Sequence, residues 1–345
     1  MKFSYSPKTM FFRSFFATGV FAVLLCGSLS PARAQEPDDV VRTETSLVQL
    51  NVGVVDPRGR AVTSLSRNDF TVYEDGVKQQ ILHFEPTDAP FSLVLLLDTS
   101  GSTISFRDQF KSAASRFLDT LAPDDRVAVI QFNAKVKVLS GFSTDRKKTA
   151  YAIQIAEGAG ETHFYEALKY ALNELDKEGT QRRKAIVVMT DGIDTLQRNL
   201  DRPFLAKVQT DADAIGAIDA KASSTLNNVL NAADRQGVSI FPLALPSGDP
   251  KRLPLPDPVI TGIYSAARTR LQSLADRTGG RLHEIARLDQ MARLYAEVAA
   301  ELRTLYTLAY QPRSDRSRRG KWHEIKIEVG QPQLIVRTRP GYFAR

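Results

Sequence analysis

Cysteine is nearly missing from this sequence: Cys26 is the only one in 345 residues, and it lies in an apolar stretch close to the N-terminus. Acidic residues are missing from the first 34 positions, where Lys2, Lys8, Arg13 and Arg33 carry all the charge. A basic leader, an apolar stretch over 15–27 and the small residues of Ala32-Arg33-Ala34 read together as a cleavable export signal. The stretch is shorter than the roughly 20 apolar residues that span a bilayer. The alternative is an uncleaved N-terminal anchor. A lipoprotein cysteine is disfavoured because Leu25 stands before Cys26, where such signals carry a small residue. No second transmembrane candidate follows, so a secreted or periplasmic protein with no integral membrane segment after cleavage is expected.

Each scarcity excludes something. A chain that begins at Gln35 has no cysteine, which rules out disulfide scaffolds and thiolate metal sites. The four histidines, His83, His163, His283 and His323, are scattered and form no imidazole cluster. The basic excess is also partly a feature of the leader. Without its four cations, 46 Lys and Arg become 42 against 39 Asp and Glu, and +7 becomes +3. A nucleic-acid groove would require a larger, clustered excess, so no nucleic acid is expected. Enzyme fingerprints are lacking too: there is no GxSxG elbow, HExxH zinc site, P-loop or GxGxxG. Gly158-Ala159-Gly160 has too few glycines and follows no strand.

About 310 residues remain after cleavage, enough for two domains. Residues 35–45 are polar and acidic and read as a flexible leader. Residues 46–88 form an N-terminal β segment, with strands over 48–55 and 70–73 and a third from Lys78 to Phe84, separated by turns at 56–59 and 74–76. The pattern changes at Phe91. Leu93 to Leu97 is a continuous apolar run, as in a strand covered on both faces of a parallel sheet. Similar runs recur at 127–132, 185–189 and 240–245, with an edge strand at 136–139 and a short one at 282–285. Between them, apolar residues recur at helical spacing: Phe106, Phe110, Ala113, Phe117 and Leu121, then Phe164, Ala167, Leu168, Ala171, Leu172 and Leu175. Strands alternating with helices over 90–303 predict an α/β domain with a doubly wound, mostly parallel Rossmann-like sheet. Residues 304–345 return to β, with strands at 306–311, 324–329 and 334–338. Neither β segment is large enough to stand alone. They are expected to pack together as a smaller β-sandwich-like domain.

The chemistry gathers at strand ends. The first buried strand leads into Asp98-Thr99-Ser100-Gly101-Ser102, which brings a carboxylate and two hydroxyls to the carboxyl edge, where open α/β sheets bind ligands. The 185–189 strand leads into Thr190-Asp191-Gly192 and brings a second carboxylate to that edge. Gly160-Glu161-Thr162-His163 precedes an apolar helix and adds a third hydroxyl. Such an all-oxygen set suits Mg²⁺, Mn²⁺ or Ca²⁺ and disfavours Zn²⁺. The bland alternative is that Ser100 and Thr162 cap the helices that follow them.

Asp98-x-Ser100-x-Ser102, Thr162 and Asp191-Gly192 together resemble the metal ion-dependent adhesion site (MIDAS) of von Willebrand factor A domains. The resemblance covers about residues 90–303, with all five positions in order. The flanks resemble a secreted bacterial subfamily, the von Willebrand factor A-related proteins of acidobacterial type, in residues 68–76 and in Arg339-Pro340-Gly341-Tyr342. One departure is Glu161, which stands where many relatives have glycine. The resemblance implies that Ser100 and Ser102 ligate a divalent ion directly, and that Asp98 and Asp191 do so directly or through water. It further implies that Thr162 joins when a ligand binds, and that an Asp or Glu carboxylate of a protein partner fills the open position. No catalytic residue is expected; the implied function is adhesion or protein binding. A structural or assembly scaffold with a stabilising metal site is the alternative. A hydrolase is a weaker one, since Ser100 replaces the second aspartate that phosphoryl-transfer hydrolases carry two residues after the first.

Three surface features complete the reading. The segments 192–223 and 246–262 follow strands ending on the metal edge and are read either as loops that set partner specificity or as disordered insertions. The cations Arg313, Arg316, Arg318, Arg319 and Lys321 are read as a solvated hairpin tip, with binding to an anionic surface as the alternative.

Overall fold

The computed structural model describes residues 47–179, 182–313 and 318–344. The expected signal and leader, residues 1–45, lie outside the described residues, as does Arg316 of the basic cluster.

Strands β1 (Val48–Val55), β2 (Phe70–Glu74), β3 (Val77–Gln79) and β4 (Ile81–Glu85) come first. The α/β part opens with β5 (Phe91–Asp98), α1 (Arg107–Asp119), β6 (Arg126–Phe132), β7 (Val136–Ser143) and α2 (Arg146–Gln154). It continues with α3 (Phe164–Asp176), β8 (Arg183–Thr190), α4 (Thr195–Asp201), α5 (Asp211–Ala214) and α6 (Ser224–Gln236). Next come β9 (Ser239–Ala244), α7 (Pro258–Thr278), β10 (His283–Glu284) and α8 (Met291–Leu302). The chain closes with β11 (Leu305–Tyr310), β12 (Trp322–Val329), β13 (Ile335–Arg337) and β14 (Gly341–Phe343).

The central sheet has the order β10-β9-β8-β5-β6-β7, with only β7 antiparallel to its neighbour. The unbroken apolar runs explain its interior. All eight residues of β5 are buried, because helices cover both faces and alternate side chains enter opposite layers. Leu93, Leu95 and Leu97 pack with Phe110, Phe117 and Tyr295 from α1 and α8. Val94 and Leu96 pack with Phe164, Leu168 and Leu230 from α3 and α6. Local signals set the helix ends. Asp257 accepts hydrogen bonds from the amides of Val259 and Ile260 at the start of α7, where Pro258 occupies the first turn. Gly279, in the left-handed conformation, ends it.

The two β segments combine as expected, in two four-stranded sheets, β13-β1-β11-β4 and β14-β12-β2-β3. Each mixes N- and C-terminal strands: β1 lies antiparallel to β11, and β2 to β12. One core containing Leu50, Val52, Val72, Tyr306, Leu308 and Ile325 joins them. The expected third strand requires correction. It is two strands, since β3 pairs with β2 whereas β4 crosses to the other sheet and pairs with β11. Its apolar pattern carries no mark of the switch. A further strand, β14, was not foreseen.

Buried arginines fasten the sandwich to the α/β part. Arg339 donates to the carbonyls of Asp234 in α6 (2.6 Å) and Gln49 in β1 (2.9 Å). Arg183, at the start of β8, donates to the carbonyls of Thr87, Ala89 and Leu305 and lies over the Phe91 ring. The segments 192–223 and 246–262 are not bare loops. They hold α4, α5 and three 3₁₀ turns, and pack around Leu205, Ala214, Ile218 and Ile263. Among the described residues no helix is long and apolar enough to cross a membrane.

Candidate functional site

The parallel register sets the geometry. Leu97 of β5 lies opposite Met189 of β8, so Asp98 and Asp191 leave neighbouring strands at the same edge. Both side chains are buried, each residue only 1% exposed. Asp98 Oδ1 accepts from the Ser100 amide (3.0 Å) and Oδ2 from the Thr190 hydroxyl (2.7 Å). Asp191 Oδ1 accepts from the Ile193 amide (3.0 Å) and Oδ2 from the Ser247 hydroxyl (3.0 Å). The hydroxyls of Ser100 and Ser102 lie 3.2 Å apart. The structure thus brings four of the five expected residues into one connected loop system.

Thr162, the fifth, is buried in the loop before α3. Its amide donates to the Thr195 hydroxyl (3.0 Å), and its carbonyl accepts from the Thr195 amide (2.8 Å). Those bonds tie it to the segment that follows Asp191. On the other side, the Gly101 amide donates to the Gly160 carbonyl (3.0 Å), linking the Thr162 loop to the Asp98 loop. Neither hydroxyl follows the capping alternative. Ser100 starts a 3₁₀ turn without a side-chain cap bond, and His163 rather than Thr162 precedes α3. Glu161 points outward, 3.5 Å from His163.

Several supporting residues escaped the sequence reading. Arg107 donates to the carbonyls of Thr99 (3.2 Å) and Gly158 (2.9 Å), pinning two of the site's loops together. A Cβ on Gly158 would come within 2.8 Å of the Thr99 carbonyl oxygen, so that glycine is needed for close approach. Its signal was visible in Gly158-Ala159-Gly160, which pattern matching weighed only as a phosphate loop. The Thr103 hydroxyl donates to the carbonyls of Asp98 (2.9 Å) and Ser100 (3.0 Å). Thr190 stood in plain view beside Asp191. Ser247 had no signal, since it comes from another strand's exit.

The electrostatics are those of two neighbouring buried carboxylates. Burial, and then the negative charge of Asp191, push the Asp98 carboxyl well above the usual carboxylate range. Among the described residues neither carboxylate has a Lys or Arg ion-pair partner. The nearby Arg268 donates instead to the backbone carbonyls of Asp191 (2.6 Å) and Leu245. Two buried carboxylates beside two hydroxyls, with no thiol or imidazole among them, fit a hard divalent cation.

A second acidic group contrasts with it. Ligand atoms of Glu74, Asp75 and His323 lie within 4.8 Å of one another. Its acceptors are already filled. Glu74 accepts from Arg318, Tyr310 and Tyr342, and Asp75 from His323 (2.6 Å) and the Glu324 amide (2.9 Å). Arg318 therefore occupies the place of a cation, and this cluster reads as a structural network. Arg318, expected on a solvated hairpin tip, is largely buried against Glu74.

An open α/β sheet with an oxygen-lined edge defines a broad class of ligand-binding domains. Residues 93–193 match the family model of the von Willebrand factor type A domain. Among curated proteins, the human voltage-dependent calcium channel subunit alpha-2/delta-2 is 28% identical over 127 residues, 34% of this chain and 11% of that protein. An uncharacterized protein of Synechocystis is 35% identical over 106 residues, 30% of this chain and 25% of that one. The match thus spans a quarter or less of these relatives. Among solved structures, the vWF domain of the type V pili tip protein Mfa5 from Porphyromonas gingivalis has a TM-score of 0.45 at 15% identity, covering 61% of this chain and 94% of that one. The pilus adhesin SpaC from Lactobacillus rhamnosus GG has a TM-score of 0.46 at 11% identity, covering 86% and 41%.

Proposed function

We propose that the chain is an exported, metal-dependent binding protein of the acidobacterial von Willebrand factor A-related type. In this reading a divalent ion, Mg²⁺ or else Mn²⁺ or Ca²⁺, is held by Asp98, Ser100, Ser102, Thr162 and Asp191. The observation that carries it is the pair of buried carboxylates with no Lys or Arg ion-pair partner among the described residues. Two such charges repel and lose hydration, and a cation between them relieves both costs. Bound there, the ion supplies Lewis-acid attraction for one incoming Asp or Glu carboxylate of a protein partner. Thr190 and Ser247 hold the Asp98 and Asp191 carboxylates in orientation. Arg107 and Gly158 keep the Ser100 and Thr162 loops in contact. In this reading the output is binding, not bond cleavage.

Titration calorimetry with Mg²⁺, Mn²⁺ and Ca²⁺ tests this on residues 35–345, wild type against Asp98→Ala. Saturable binding that disappears in the variant is expected. A folded wild type that binds none of the three ions would refute the reading. The scaffold alternative, in which the ion only stabilises, separates at Ser100→Ala: loss of partner binding with the fold intact supports capture, and loss of the fold supports the scaffold.

A further inference from the structure

We propose that the partner is an acidic amphipathic protein segment whose apolar side docks on a ridge formed by Leu196, Leu200 and Phe204. The proposal rests on the reading of the Asp98–Asp191 edge as a carboxylate receptor and adds the chemistry of what surrounds that carboxylate.

Helix α4 and the 3₁₀ turn after it (Arg202–Leu205) are arranged inside out. Gln197, Asp201 and Leu205, four residues apart, are buried. Leu196, Leu200 and Phe204, at the same spacing, are 59%, 62% and 65% exposed. An ordinary surface helix buries its apolar stripe. Here a polar ladder decides the orientation. Arg270 grips Asp201 through two bonds of 2.6 and 2.8 Å, Gln197 donates to Asp201 (3.0 Å), and Ser223 donates to Gln197 (2.8 Å). The apolar stripe is thereby held in solvent, where contiguous apolar side chains mark interaction surfaces.

Position and charge identify the occupant. The helix begins at Thr195, whose amide and hydroxyl both bond to the backbone of Thr162, so the ridge starts one residue from the site's own framework. From Leu196 to Phe204 it runs about 12 Å at the helical rise per residue. Within 195–207 the exposed charges are Arg202 and Lys207, with Arg198 half-buried, while the single acid, Asp201, is neutralised by Arg270. A positive, apolar ridge next to a carboxylate receptor complements a segment that alternates acidic and apolar residues. Asp98 and Ser100 are recessed, which calls for a projecting side chain and favours a protein over a flat anionic membrane.

The test uses the full chain in Mg²⁺, a displayed library of random 16-residue peptides, and phosphatidylserine vesicles in parallel. Variants are Leu200→Ser with Phe204→Ser and Arg202→Glu, each checked for an unchanged melting profile in the absence of peptide, and Asp98→Ala, checked for a retained cooperative melt. Selected peptides should be rich in Asp or Glu with apolar residues at helical spacing. Their Kd should rise at least tenfold in the ridge double variant and also in Arg202→Glu, with Mg²⁺ affinity unchanged in both. Mg²⁺-dependent acidic peptides that bind the double variant as tightly as wild type would overturn the ridge and leave the carboxylate receptor standing. Ridge-dependent binding indifferent to Mg²⁺ and to Asp98→Ala would overturn the joint site together with that reading. Ridge-dependent binding to vesicles alone, or no enriched peptide, would overturn the proposal.

Discussion

At the scale of the residue, Asp98 couples stability to binding. Its folded pKa is raised by burial and by Asp191, whereas the unfolded chain titrates near 4. The folded state therefore holds this proton more tightly. The stability that Asp98 contributes is fully present below about pH 4 and is lost as pH rises toward neutrality through the raised value. Two outcomes follow for metal-free protein. Asp98→Asn should raise the melting temperature at pH 7 and have little effect near pH 4, while abolishing metal binding. Thermal melts across pH in the presence of a chelator check this; an Asp98→Asn variant less stable than wild type at pH 7 would contradict the assigned repulsion. The two strand exits that bring Asp98-x-Ser100-x-Ser102 and Asp191-Gly192 to one edge were legible because each is a close-range pattern after an apolar run. Ser247 and Arg107 were not, because their roles depend on which distant loops share the edge.

Among elements, α4 separates what a helix looks like from how it is used. Its sequence shows an apolar stripe every fourth residue, which read alone predicts burial of Leu196 and Leu200. Instead the buried Asp201–Arg270 pair orients it. Asp201→Ala leaves the Arg270 guanidinium buried without its partner and should cost about 3–5 kcal/mol. Leu200→Ser removes an exposed side chain and should change stability by less than about 0.5 kcal/mol. Urea denaturation of both variants measures the contrast. A large loss from Leu200→Ser would mean that the stripe packs inside the protein. The third expected strand teaches a similar lesson: Gln79 pairs locally with Val72, whereas Ile81 pairs with Tyr310, more than 200 residues away, in the other sheet.

In the whole molecule, the sandwich depends on both ends of the described chain. Strand β1 has C-terminal neighbours on each side, β11 and β13, and β2 leans on β12. Deleting residues 304–345 should leave β1 and β4 without strand partners and β2 paired with β3 alone, and uncover Leu50, Val52 and Val72, while the central sheet retains its own two apolar layers. Hydrogen exchange on the truncated chain is expected to show lost protection in residues 48–85 with protection kept in β5 and β8. Protection retained throughout would mean that the N-terminal strands stand alone. Arg339 makes the dependence mutual, since its guanidinium bonds to α6 and β1 at once.

The α/β architecture, and the carboxylate and hydroxyl residues it brings to one edge, were determined by the sequence itself. Continuous apolar runs can be satisfied only by strands covered on both faces, and the polar residues ending those runs must then meet at one edge. Tertiary structure alone decided which β strands pair, which sheet β4 joins, that α4 turns its apolar stripe outward, and that Thr190 and Ser247 orient the two carboxylates. These outcomes rest on contacts between residues far apart in the chain. Local patterning constrains which face of an element is apolar, but the partner that covers it, or leaves it open, is chosen only when the whole chain closes.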